Sequence, residues 1–150
     1  MNKAKNLREH LLNSPLGLHG AGLLLSVADC KVTAQSDESN QHFELNYTAD
    51  LLLLNFAGNA DVLIFILLNW LDKDQPFRSS NAFSLTADVI DDKTADINIK
   101  IPLRETIKVR HDADGVSLVH QDEPEVQTLL DATEWKLFVK DELWAQWTQA

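Results

Sequence analysis

Apolar residues recur at helical spacing near the start of the chain. Leu7, Leu11 and Leu12 fall on one side of a helix over Lys3 to Asn13, with Lys3, Lys5, Arg8 and His10 among them, and Ser14-Pro15 ends the pattern. Pro15, Gly17, Gly20 and Gly22 then mark a loop. Leu23 to Ala28 reads as a short, mostly buried strand that turns at Asp29-Cys30-Lys31 into a second strand, Val32 to Ala34. Gln35 to Gln41 is polar and reads as an exposed loop. Phe43, Leu45, Tyr47 and Ala49 then alternate with Glu44, Asn46, Thr48 and Asp50, the period of a half-buried strand. Leu51 to Leu54 loses that alternation, as a strand covered on both faces would. Gly58 marks a turn, Asn59 caps a helix to about Asp74, and Asp61 sits favourably in its first turn. This helix is apolar nearly all round, which requires cover on more than one side.

Pro76 to Ala82 reads as a loop and Phe83 to Asp91 as a strand of imperfect period. Asp91-Asp92-Lys93-Thr94 is a hairpin turn. Ala95, Ile97, Ile99 and Ile101 face one way and Asp96, Asn98 and Lys100 the other, the cleanest strand pattern in the chain. Pro102 supplies no ladder donor, so it predicts an edge position or a bulge. Ile107 and Val109 resume the strand, and His111 to Gly115 turns it into Val116 to His120. Gln121 to Asp131 is acidic and reads as a loop with one helical turn. Trp135 to Trp147 reads as a terminal hairpin turning at Lys140-Asp141-Glu142, with a helix from Glu134 as the competitor. The expected architecture is one α+β domain over residues 1–150. It is an antiparallel sheet of five to seven strands, with one long buried helix and an N-terminal helix packed on it.

Composition narrows the function classes. The 150 residues are 45% hydrophobic and carry 13 Lys+Arg against 23 Asp+Glu, a formal charge of −10. That balance argues against binding to a phosphate backbone, and no specific nucleic-acid partner is expected. The densest apolar run, Val62 to Leu68 with Trp70 and Leu71, is about half the length of a membrane span, and no membrane partner is expected. The one cysteine, Cys30, excludes an intramolecular disulfide and has no activating neighbour in sequence, so a buried or half-buried inert thiol is expected. No nucleophile elbow, zinc-protease helix, phosphate loop or dinucleotide-binding glycine pattern is present. The five histidines are dispersed. His111-Asp112-Ala113-Asp114-Gly115 has part of a calcium-loop pattern, but Val116 to His120 reads as a strand, which favours a hairpin turn. No cofactor, metal or catalytic residue is expected.

Three blocks carry a resemblance. Phe43 to Pro76 contains an alternating strand, Asn55-Phe56-Ala57-Gly58, and an apolar helix ending in Trp70-Leu71 and Gln75-Pro76. Ala87 to Val109 contains the acidic turn, the alternating strand and Ile101-Pro102-Leu103-Arg104-Glu105. Lys140 to Trp147 contributes a closing hairpin. In order and spacing these blocks resemble the tail completion protein R family of contractile-tailed temperate phages and related prophages. The first 42 residues match less well. The resemblance implies a virion tail structural protein assembled in the host cytoplasm, not an enzyme. It would cap the head-proximal end of the tail tube and make the tail competent for head joining. By analogy with other tail terminators it implies a homo-oligomeric ring, commonly hexameric, with a tail tube protein and head–tail connector proteins as partners.

The excess of apolar positions agrees with assembly, and Phe56, Phe65, Trp70, Trp144 and Trp147 are the expected contact residues, Trp being frequent at interface anchors. A ring of acidic subunits would repel DNA passing through it, and Asp91, Asp92, Asp112 and Asp114 are the expected lumen carboxylates. The alternative reading is a bacterial ligand-binding or adaptor domain with a pocket inside one subunit.

Overall fold

The structure, a computed structural model, describes residues 1–34, 41–123 and 134–148, without the side chains of 134, 135, 147 and 148. The loops expected over Gln35 to Gln41 and Gln121 to Asp131 fall almost wholly outside it. In chain order the elements are α1 (Asn2–Leu12), a short 3-10 turn (Gly20–Gly22), β1 (Leu23–Ala34), β2 (Phe43–Phe56), α2 (Ala60–Asp74), β3 (Ser84–Val89), β4 (Ala95–Asp112), β5 (Gly115–His120), β6 (Glu134–Val139) and β7 (Glu142–Thr148). The fold is α+β and every strand pairing is antiparallel. The expected count of strands is met by two sheets instead of one. Five strands form a sheet ordered β1-β2-β4-β3, with β5 also on β4, and β6 pairs β7 in a separate hairpin. Leu137 and Val139 pack against the main core. The hairpin, not the competing helix, forms because Lys140 and Asp141 both take positive φ (51° and 64°), the geometry of the tight turn that matches strand twist.

One face of the main sheet carries the core. Leu23 of β1, Tyr47, Ala49, Leu51 and Leu53 of β2, and Ile97, Ile99, Ile101 and Leu103 of β4 are buried beneath the helices. The opposite face is mixed: Leu52 is half-buried and Leu54 exposed, so the loss of alternation at Leu51 to Leu54 does not mean cover on both sides. α1 inserts Ala4, Leu7 and Leu11, and α2 inserts Val62, Leu63, Ile66, Leu67, Trp70 and Leu71. The expectation of an all-round buried α2 is corrected. One side is enclosed by sheet and α1, whereas Ile64, Phe65 and Leu68 are only half-buried. Asn59 caps α2 as expected, its Oδ1 accepting from the Asp61 N–H at 2.8 Å.

Two bulges shape the sheet, and both use a residue in the left-handed region. Asp29 (φ 53°) and Cys30 oppose one residue of β2, so Leu23 to Ala34 is one bulged strand and not the hairpin its polar centre suggests. Leu54 and Asn55 oppose Asp96 in the same way. Asn55 has φ 54°, and its N–H donates to Asp96 Oδ1 at 2.9 Å. The Phe56 ring then folds back over Gly58, where an added Cβ would sit 2.8 Å from Cζ. The Asn-Phe-Ala-Gly segment is thus a bulge, a buried ring and the glycine that makes room for it, followed directly by the cap of α2.

β4 runs unbroken for 18 residues through the middle of the sheet. On the edge away from β2, β3 covers it only as far as Lys100, and β5 starts at Ile107. Pro102 lies in the notch between them, so the expected edge position is local to an otherwise central strand. Two backbone groups in the notch are matched: the Arg104 N–H donates to Gln75 Oε1 at 3.3 Å, and the Gln121 N–H donates to the Thr106 carbonyl at 2.9 Å. Gln75 is itself buried and also accepts from Lys3 Nζ at 2.8 Å.

Glu105 is the polar exception on the inward face, with 4% of its surface exposed. Its Oε1 accepts from the N–H groups of Asn2 and Lys3 at 2.7 and 3.1 Å, and its Oε2 accepts from the Tyr47 hydroxyl at 2.5 Å. The chain's amino group lies 3.8 Å from Oε2 and His120 Nδ1 3.4 Å from Oε1. A strand residue therefore caps α1 from across the core, supplying negative charge where the helix presents unpaired donors. Burial would raise the carboxyl pKa. The Tyr47 hydroxyl, the two backbone donors and the amino group outweigh it and hold the carboxyl below its ordinary range. Burial and the same carboxylate push the Tyr47 hydroxyl up, so it stays protonated and donating.

Two predictions follow from this core. Because the folded-state pKa of Glu105 is depressed, its contribution is present above the ordinary value of 4.5 and is lost as pH falls below it. The stability difference between wild type and Glu105→Gln, from urea midpoints, should therefore shrink steadily below that pH, while Glu105→Ala at neutral pH should cost about 3 kcal/mol by leaving buried donors unpaired. Gly58→Ala should cost about 1–2 kcal/mol by displacing the Phe56 ring, read as a lower thermal midpoint, with Ala57→Ser nearly neutral because that position is exposed.

Candidate functional site

The expected contact residues separate by burial. Trp70 is 2% exposed, and its indole N–H donates to Asn6 Oδ1 at 2.8 Å, so it joins α2 to α1. Phe56 is buried over Gly58. Both are corrected from partner anchors to core residues: the chain's own N-terminal helix covers Trp70, which periodicity along α2 alone does not reveal. Phe65 is half-buried and packs against the core from the outer side of α2. Trp144 is 37% exposed, and it is the unopposed residue of a bulge between Leu137/Ala145 and Phe138/Leu143. Trp147 lies in β7 opposite Trp135, and its side chain falls outside the described residues.

Beside Met1, Leu24, Leu54, Phe77 and Val119, large apolar side chains of the described residues are left exposed in three groups. Phe138 and Leu143 pair on the outward face of the terminal hairpin, beside Trp144. Val89 and Ile90 flank the β3–β4 turn. The third group lies at the far end of the main sheet, beyond the start of α1: Val32 of β1 is 64% exposed, and Val116 and Leu118 of β5 are 61% and 63% exposed. By register all three of these residues share the helix-bearing face. α1 starts at Glu105 and runs towards Leu23, where the Arg8 guanidinium reaches the carbonyls of Gly20 and Leu23. The helices thus cover the near half of the sheet and leave the β4–β5 ribbon bare. Sequence reasoning missed this group, although the alternation in Val116 to His120 shows a strand with apolar residues on both faces.

The four acidic residues are all exposed and lie at opposite ends of β4. Asp91 closes the β3–β4 turn, its Oδ1 accepting from the Lys93 and Thr94 N–H groups at 2.8 Å and from the Thr94 hydroxyl at 3.1 Å. Those bonds, the Lys93 N–H first, hold its carboxyl below the usual range. Asp92 is free of that network. Asp112 accepts from the Asp114 N–H at 3.2 Å in the β4–β5 turn. The two pairs are separated by the length of β4, on the order of 50 Å.

Chemistry is sparse among the described residues. No group of three or more His, Cys, Asp or Glu is placed to hold a metal ion, and no helix is long and apolar enough to cross a membrane. The calcium-loop pattern resolves as the β4–β5 turn, and Glu123, which would close such a loop, sits 2.6 Å from Lys3 Nζ. Cys30 is exposed and not buried as expected, because the β1 bulge carries it at the sheet edge.

Comparison with known proteins places these features in a family. Tail completion protein R of Escherichia phage P2 is 26% identical over 113 residues, covering 71% of this chain and 72% of that protein. No solved structure matches. The family model described as P2 phage tail completion protein R (GpR) matches residues 1–125. The match includes the N-terminal segment, where the motif resemblance is weakest, and it stops before the terminal hairpin. With five-sixths of its length matched, the chain belongs to the P2 phage tail completion protein R family.

Proposed function

We propose that this protein is a structural component that finishes the head-proximal end of a phage or prophage tail and makes it competent for head joining. The observation that carries the reading is the family match over residues 1–125. In this reading the activity is assembly, not catalysis. Copies associate into a ring on the tail tube in the virion tail, after synthesis in the host cytoplasm, and meet connector proteins on the opposite side. The exposed apolar groups support it, since a chain that leaves Val32, Val116, Leu118, Phe138 and Leu143 in water has contacts still to make. Phe65, Trp144 and Trp147 are the aromatic candidates for those contacts. The net charge of −10 supports a channel that does not hold DNA, lined either by Asp91 and Asp92 or by Asp112 and Asp114.

The test is reconstitution. Tails assembled without this protein should fail to join filled heads, and adding the purified chain should restore joined particles in electron micrographs. Sedimentation should show a multiple of 16.9 kDa once tail tubes are present. Unchanged joining with a species that stays at the single-chain mass would overturn the reading. Trp144→Ala, on an exposed bulge, should lower the joining yield severalfold with an unchanged unfolding midpoint.

A further inference from the structure

His120 closes β5, and its ring stands beside the start of α1. Among the described residues, the one buried side-chain nitrogen or oxygen that makes no hydrogen bond is His120 Nδ1. It lies 3.4 Å from Glu105 Oε1, while the side chain as a whole is 36% exposed. Water therefore reaches the rest of the ring, and Nδ1 faces the interior. A buried polar atom left without a partner is costly and calls for a cause. Without a proton, Nδ1 would turn its lone pair towards an ionised carboxylate, and two electron-rich atoms repel. With a proton, it turns a donor towards the same carboxylate. Glu105 has room for that donor. A carboxylate offers about four lone-pair directions, and Asn2, Lys3 and Tyr47 occupy three.

We propose that His120 holds its ring proton on Nδ1 and directs it at Glu105, which makes the end of β5 and the first turn of α1 one latch. The backbone of Asn2 and Lys3 hangs from the carboxylate on one side, and His120 holds it from the other. Two further attachments follow directly along the chain. The Gln121 N–H donates to the Thr106 carbonyl at 2.9 Å, and Glu123 Oε1 lies 2.6 Å from Lys3 Nζ. Loss of either side frees the carboxylate to turn, so the two chain segments open together as a local unit. Nε2 keeps the ring's lone pair and meets water. The latch belongs to the single chain and holds whether or not copies assemble. It fixes the root of the ribbon that carries the bare Val116 and Leu118 against the helix layer.

The tautomer is read by nitrogen NMR of the full chain at a pH about two units above the ordinary histidine value, where the ring is neutral. The signals lost in His120→Asn identify this ring. Nδ1 should carry the proton and Nε2 the lone pair; the reverse would overturn the assignment. The latch is read by amide exchange with water. His120→Phe keeps a ring without the donor. It should speed exchange of the Asn2, Lys3 and Gln121 amides severalfold and leave those of Ala49 and Leu51 unchanged. Asparagine places an N–H where Nδ1 stands, so His120→Asn should return the three amides towards wild-type rates. Unchanged rates at Asn2 and Lys3 in His120→Phe would overturn the latch, as would equal acceleration by both variants. Acceleration that reaches Ala49 and Leu51 to the same degree would mark general loosening and overturn it as well.

Discussion

A carboxylate on the inward face of a central strand is the constraint around which this structure is arranged. Glu105 occupies a position that alternation assigns to an apolar side chain, and it remains there because four donors converge on it: two backbone N–H groups of α1, the Tyr47 hydroxyl and the amino group. An unpaired charge at that depth would be costly, so removal of any partner is felt by the rest. The carboxylate fixes where α1 begins on the sheet. That in turn decides which apolar residues the helices cover and which they leave bare. Lys3, one residue further along α1, extends the same polar set to Gln75 and Glu123, tying the end of α2 and the exit from β5 to the same place.

Much of this was legible in the sequence. The cap at Asn59, the turn at Asp91-Asp92-Lys93-Thr94, the alternation from Ala95 and the terminal hairpin are local signals, each dictated by a few neighbouring residues, and each appears as expected. What failed was non-local. A polar pair at Asp29-Cys30 reads as a turn, yet β2 holds both sides of it in one ladder and makes it a bulge. Trp70 reads as surplus because nothing along α2 shows that α1 lies over it. Glu105 was legible in principle: Ile97, Ile99, Ile101, Leu103 and Ile107 share its parity, so a lone carboxylate in that row signals a buried partner set. The identity of that partner set depends on α1, about a hundred positions away, and no local pattern encodes it.

The motifs that carry the resemblance acquire physical content in the same way. Asn-Phe-Ala-Gly is a bulge that turns β2 into α2, and Gln-Pro places an amide against the unpaired edge of β4. Both shape the body of the protein, and exposed apolar residues stand beside them, at Leu54 and Phe77, as well as on the β4–β5 ribbon and on the hairpin that lies beyond the family match.

The notch at Pro102 bears on how such a surface stays orderly. Along that side of β4 the backbone offers hydrogen-bond partners to β3 and to β5, and between them it offers a ring nitrogen and groups already satisfied by Gln75 and Gln121. A foreign strand cannot glide along this border from one end to the other. The interruption acts as a mechanical stop: it divides a long, fibre-prone margin into two short berths, and a berth of half a dozen residues tolerates little slippage.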